Sequence, residues 1–183
     1  ANTRIGARPF PEDLAQHWPA AYRQSRIEAL LGSREFHTPS GFQAMQTDIV
    51  SEAARRLAPL MLTPLRAGLE QETGLRREAI ERLSAWAGEM DAVAPEPLSD
   101  ATGTRGLTRA LLADDRGVRG ALAPGARPRF LERVLRDEGG AAARWCDRPA
   151  TAGKETCGDI VSAALDDALA EIVDRFGERI AHW

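Results

Sequence analysis

Glu155-Thr156-Cys157-Gly158-Asp159-Ile160-Val161-Ser162-Ala163-Ala164-Leu165-Asp166-Asp167-Ala168-Leu169-Ala170-Glu171-Ile172-Val173-Asp174-Arg175-Phe176-Gly177 is the stretch that decides the fold. Ile160, Val161, Ala164, Leu165, Ala168, Leu169, Ile172, Val173 and Phe176 recur at three- and four-residue steps. That spacing makes one wide apolar face on a long helix, and Gly177 closes it. Immediately upstream lies a loop bounded by Cys146 and Cys157, preceded by Gly139-Gly140. Before that, Pro128 can open a helix carrying Phe130, Leu131, Val134 and Leu135.

The same period recurs toward the start of the chain. Leu107 to Asp114 reads as a short helix. Leu75, Ala79, Leu83 and Trp86 line one side of another, with Thr73 placed to cap it. Thr38-Pro39 makes a cap and first turn for a long amphipathic helix with Phe42, Met45, Ile49, Ala53 and Leu57 on one stripe. Pro59 and Pro64 interrupt the next segment, so Leu60 to Leu69 is expected to be kinked or a second helix. Ala20 to Leu31 carries Arg23, Ile27, Leu30 and Leu31 on one side and stops at Gly32. Further upstream, Pro11 can open a helix on which Leu14 and Trp18 share a face, and Pro19 resets the chain. No segment alternates as a strand does. The expectation is an all-α fold, one helical domain over residues 1–183. Residues 1–10 form an irregular entry, and 91–106 and 139–154 are long loops rich in Gly, Pro, Ser and Thr.

Composition narrows the function classes. The 183 residues carry a net charge of −3 with acids and bases interspersed, which argues against nucleic acid or an anionic membrane as partner. No run of about 18 apolar residues is present, so no membrane-spanning helix is expected. No signal peptide opens the chain, and it starts at Ala1, as expected of a processed or excised product. The two cysteines have no neighbouring Cys or His with which to build a four-ligand zinc site. A disulfide across the short loop is favoured, which would place the protein in an oxidising compartment; two free thiols are the alternative. His17, His37 and His182 are scattered, and no HExxH, GxSxG, P-loop or Rossmann pattern occurs. The acid pairs Asp114-Asp115 and Asp166-Asp167 and the doublets Arg55-Arg56 and Arg76-Arg77 read as solvated helix faces. Asp48 falls within an apolar stretch and needs a partner if it turns inward; Arg23 and Arg26 are the candidates.

Several short segments gain meaning from their order. They are Ala1-Asn2-Thr3-Arg4, then Tyr22-Arg23-Gln24-Ser25-Arg26-Ile27, then Phe42, Met45, Gln46, Asp48, Ser51 and Ala54. Leu83 with Trp86 comes next, then Pro95-Glu96-Pro97-Leu98, then Trp145-Cys146-Asp147 with Thr151 and Glu155-Thr156-Cys157. In this order and spacing the chain resembles the penicillin amidase group of hydrolases over most of its length. The resemblance implies hydrolysis of an N-acyl amide by an N-terminal Ser whose own α-amine acts as base, a group that titrates near neutrality. That Ser is not in this chain, so the segment is expected to be part of a large subunit and inactive alone. Its expected partners are the rest of that subunit, the small subunit and a small N-acyl substrate, in the periplasm or secreted.

The resemblance also implies residue roles. Asn2 corresponds to an oxyanion-hole Asn, a neutral amide donor suited to a developing charge; Thr3 departs from the family, where a second Asn is common. Arg23 corresponds to an arginine near the active centre, whose guanidinium fork suits an Asn side chain or a carboxylate. Asp13 lies near a calcium-binding Asp of some members, so no cofactor is required but a structural calcium is possible in the parent. Ser99 to Arg105 depart most, lacking the usual bulky apolar pattern, and a helix there is expected to fray or be lost. Two rival expectations stand beside this one. The first is a non-enzymatic helical interaction module; the second is a ligand-binding bundle lined by Trp18, Met45 and Trp86.

Overall fold

The structure, a computed structural model, describes residues 20–116, 127–147 and 153–183, with backbone alone at 113–116. Eight α-helices are found among the described residues. They are α1 (Tyr22–Gly32), α2 (Pro39–Gln46), α3 (Glu52–Arg66), α4 (Gly74–Ala85), α5 (Pro95–Arg116), α6 (Pro128–Leu135), α7 (Ala141–Trp145) and α8 (Cys157–Phe176). The only extended pairing among these residues is an isolated antiparallel bridge between Val50 and Glu89. The chain is all-α, as its periodicity predicts.

α8 forms the centre because its wide apolar face has more to bury than any other element. Ile160, Val161, Ala164, Leu165, Ala168, Leu169 and Ile172 are all buried. Of these, Ile160, Val161, Ala164, Leu165 and Leu169 meet Leu107 and Leu111 of α5, Leu57, Leu62 and Leu65 of α3, and Ile80 of α4 in one cluster that also takes Leu131 and Val134 of α6. The start of α8 is fixed locally. The Thr156 side chain accepts from the Asp159 amide at 3.2 Å, and the Asp159 carboxylate accepts from the Thr156 amide at 2.8 Å, a reciprocal cap that satisfies two otherwise unpaired donors. Bonds from the Thr156 side chain and amide hold the Asp159 carboxyl below its usual range. Cys146 and Cys157 are joined in a disulfide with Cα atoms 4.9 Å apart, so the pairing that the short loop favours is the one formed.

Four expectations are corrected. The stretch 91–106 is helical from Pro95 onward, because α5 runs unbroken from there to Arg116 and absorbs the short helix expected at Leu107. Beside Leu107, Leu111 and Leu112 it buries small and polar residues: Ser99, Thr102, Thr104 and Thr108 are buried, and a Cβ on Gly106 would lie 3.5 Å from the Ala164 carbonyl of α8. Glycine at 106 lets the two helix backbones approach closely, while the Ser99 and Thr108 hydroxyls bond within α5 and that of Thr104 reaches Met61 Sδ of α3 at 3.9 Å. Thr108 Oγ1 donates to the Thr104 carbonyl at 2.8 Å, and Ser99 Oγ to that of Pro95 at 3.0 Å. The loop expected over 139–154 contains the short helix α7, started by Gly140 at φ 76°, a left-handed conformation that glycine adopts without strain.

The third correction concerns the long helix expected from Pro39 to Leu57. It is two helices, because the chain breaks at Thr47 and restarts at Ser51. There the Ser51 hydroxyl accepts from the Ala54 amide at 3.2 Å. The Ser51 amide donates instead to the Gly88 carbonyl at 2.8 Å, and the Met90 amide to that of Ile49 at 2.9 Å. Gly88 sits at φ 88°, and a Cβ there would meet Arg55 Cγ at 2.6 Å, so this junction requires glycine. The fourth correction is that Leu60 does not begin a second helix: α3 continues through Pro59 and Pro64 to Arg66. Each proline removes a backbone donor, but burial of Leu57, Ala58, Leu62 and Leu65 on one face outweighs that loss.

Candidate functional site

α1 stands apart from the core in one respect: none of its residues is fully buried. It lies across the α2–α3 junction and leaves a groove of about 640 Å³, within the ~300–1,000 Å³ range typical of small-molecule sites. Ile27, Leu30 and Leu31 of α1 form one wall, and Phe42 and Met45 of α2 form the other, with Val50 nearby. Ile27, Leu31 and Phe42 remain 38%, 41% and 46% exposed. The stripe that reads as a core face in the sequence is therefore the lining of an open, apolar groove.

The polar element of this groove is a forked ion pair. Arg26 donates through Nε to Asp48 Oδ2 at 2.9 Å and through Nη2 to Oδ1 at 2.5 Å. The two side chains are only 21% and 16% exposed, a shielded setting in which a bidentate pair counts for more than a surface one. Hydrogen bonding by Arg26, with help from the Val50 amide, holds the Asp48 carboxyl below its usual range. The same bond raises the Arg26 guanidinium. Asp48 is not in mid-helix, as its sequence context suggested, but in the break between α2 and α3. Of its two candidate partners, Arg26 is the one that binds it.

α1 is held at its other end by Tyr22, whose hydroxyl donates to Glu132 Oε1 of α6 at 2.9 Å. Burial, reinforced by that bond, raises the Tyr22 phenol well above its ordinary value. Glu132 is itself buried, and Arg129 approaches it at 3.6 Å. Two polar latches, Arg26–Asp48 and Tyr22–Glu132, thus fix a helix that apolar burial alone does not.

Arg23, the arginine singled out in the sequence, is exposed and lines this groove one turn from Ile27. Asn2 and Asp13 lie outside the described residues. Ser51 also lines the groove, but its oxygen is engaged as the cap of α3. Of the residues proposed for a ligand-binding bundle, Met45 is in the groove, Trp86 packs against the core, and Trp18 is outside the described residues. Among the described residues no group of three His, Cys, Asp or Glu side chains could hold a metal ion. Also among them, no helix is long and apolar enough to cross a membrane. Sequence reasoning missed the groove because exposed and buried apolar stripes have the same spacing, and only the placement of α1 over the α2–α3 break tells them apart.

The latch makes a testable difference. Asp48→Ala should loosen α1 while leaving the core intact, at a cost of about 1.5 kcal/mol, between the values for exposed and buried charged pairs. The signature is faster amide hydrogen exchange across Tyr22–Gly32 with α8 unchanged. Because the folded Asp48 carboxyl is held low, its contribution is present above its unfolded value near 3.8 and fades as pH falls below it. Equal loss of protection in α1 and α8 would contradict a local latch.

Comparison with known proteins gives one result at the level of families. The family model described as penicillin amidase matches residues 1–183. No individual curated protein matches the chain.

Proposed function

Because the chain belongs to the penicillin amidase family, we propose that it is the helical part of an amidohydrolase large subunit and that the α1–α2 groove receives the acyl portion of an N-acyl substrate. The observation that carries this reading is the groove itself: apolar walls of Ile27, Leu30, Phe42 and Met45 beside a charged fork, on the helix that presents Arg23. Each methylene of an acyl chain buried there contributes about 0.8 kcal/mol, so such a groove would select by chain length. Arg23 at the rim would orient the amide or a carboxylate on the leaving group. Asn2 is the proposed oxyanion donor and Asp13 a proposed calcium ligand in the parent. The nucleophilic Ser and its α-amine would come from outside these 183 residues, so the segment alone should not turn over amides.

Two further observations support the reading. Phe36 and Val93 are 81% and 86% exposed, apolar surface suited to packing against the remainder of the large subunit. The disulfide fits a periplasmic or secreted location.

The test is a substrate series on the complete parent enzyme. Ile27→Trp should narrow the groove and lower kcat/KM at least tenfold for an eight-carbon linear acyl amide, with the two-carbon amide little changed. Equal effects on both would remove the groove from the acyl site. Asn2→Ala should lower kcat by roughly a hundredfold or more if its amide serves the oxyanion, and a variant with native kcat would strip Asn2 of that role.

A further inference from the structure

A second cavity, also of about 640 Å³, lies where the start of α1 meets the start of α6. It differs from the groove in charge. Three guanidinium-bearing residues, Arg56, Arg127 and Arg129, line it together with the rings of Tyr22 and Phe130. Two of the three are partly neutralised. Arg56 donates to Glu52 at 3.1 Å and lies 5.9 Å from the centre of the Tyr22 ring. Arg129 approaches Glu132 at 3.6 Å, and that carboxylate also accepts the Tyr22 hydroxyl at 2.9 Å. Arg127 enters none of the ion pairs among the described residues, and its side chain is exposed. The cavity therefore carries surplus positive charge in a concave setting, which concentrates the field on whatever enters.

The local fold explains why the charge points there. Pro128 opens α6, so the unbonded amides of that first turn add to the positive end of the helix beside the arginines. Phe130 is held by an edge-to-face contact with Trp145, ring centres 5.0 Å apart at 88°, which keeps it from collapsing into the space. Tyr22 is held by Glu132. Rigid rings beside a guanidinium that enters no ion pair among the described residues form a site for a flat ligand with one anionic end, since the arginine fork matches a carboxylate with two parallel bonds.

We infer that this cavity is a binding site for a small aromatic carboxylate, its carboxylate on Arg127 and Arg129 and its ring against Tyr22 and Phe130. The site is separate from the acyl groove, which lies on the other side of Tyr22, and the inference does not depend on the amidase reading.

Tyr22 is the only tyrosine in the chain, so ¹³C-tyrosine labelling gives one ring signal from the cavity wall. Benzoate titrated into the 183-residue chain should shift that signal saturably, and Arg127→Gln should weaken binding at least fivefold. Arg127 is exposed, so the variant should unfold at the wild-type temperature. Phe130→Leu should weaken benzoate while leaving inorganic phosphate unaffected. Absence of saturable binding, or an unchanged affinity in R127Q, would overturn the site. Phosphate binding as tightly as benzoate would overturn the aromatic half of the assignment.

Discussion

Reducing the Cys146–Cys157 bond is expected to lower the stability of the chain by about 3 kcal/mol, the loop-closure value for so short a loop. The bond ties the end of α7 to the first residue of α8. α7 has five residues, too few to persist as an isolated helix, and its other restraints are modest. The Ala142 amide donates to Asp137 at 2.9 Å, and Trp145 meets Phe130 edge to face. Cys146 is buried in the same cluster as Leu131 and Val134, so reduction leaves the packing in place and removes the covalent constraint. For a chain of this length, each kcal/mol corresponds to roughly 2–4 °C in Tm, so a fall of about 6–12 °C is expected. The measurement is denaturant unfolding with and without a phosphine reductant. The doubly substituted C146A/C157A chain should be insensitive to it. A wild-type midpoint that ignores the reductant would show that the bond adds nothing to stability.

Asp100→Asn is expected to do the opposite and stabilise the protein by about 2–3 kcal/mol at pH 7.5. Asp100 sits on α5 beside a small void of about 20 Å³ walled by Met61, Leu62, Leu83 and Val161. Burial pushes its carboxyl up to about 6 from an ordinary 3.8. A raised carboxyl means that the fold prefers the protonated form. The native state therefore binds more proton than the unfolded chain between about pH 4 and 6, and stability falls across that window as pH rises. Above it the penalty is constant, at about 1.4 kcal/mol for each tenfold difference in proton affinity between the folded and unfolded chain. Asparagine keeps the shape and never ionises. The gain from the substitution should be near zero at pH 4, grow through pH 6 and level off. Unfolding free energies of both proteins at pH 4, 5, 6 and 7.5 test this, and a difference independent of pH would mean that the half-buried Asp100 carboxyl is not raised by its surroundings.

Legibility of the fold tracked side-chain size. α8 could be read directly because its face is made of Ile, Val and Leu at helical spacing, and the same holds for Leu131 and Val134 of α6. α5 could not. Ser99, Thr102, Gly103, Thr104 and Gly106 are the residues of loops when only local chemistry is considered, and their departure from the family pattern pointed the same way. What makes them helical is the nearness of α8, a tertiary fact with no local signature. The break between α2 and α3 was hidden for a related reason. Phe42, Met45 and Ile49 keep a helical period, yet Ile49 and Val50 leave the helix to pair with Glu89 and Met90, distant in sequence. At the site, the Arg26–Asp48 pair was within reach, since a carboxylate among apolar residues had to find a cation. Glu132 was not, because nothing in the sequence marks that glutamate of α6 as buried or as the partner of Tyr22.

The close approach of α5 to α8 reverses the usual rule for which mutations a protein tolerates. In most cores the large residues are the sensitive ones and small replacements leave holes. Along α5, positions 99, 102, 103 and 106, which share one face, should instead accept Ala or Ser readily and reject Leu, Met or Phe, although every one of them is occupied by a residue ordinarily considered replaceable. A saturation library selected for folded protein would show this as a size ceiling running down one side of the helix, with hydrophobicity counting for little. Drift at these sites is then confined to a narrow alphabet, and insertion of bulk has to be matched by loss of bulk on the facing helix, α8 at Gly106 and α3 at Gly103.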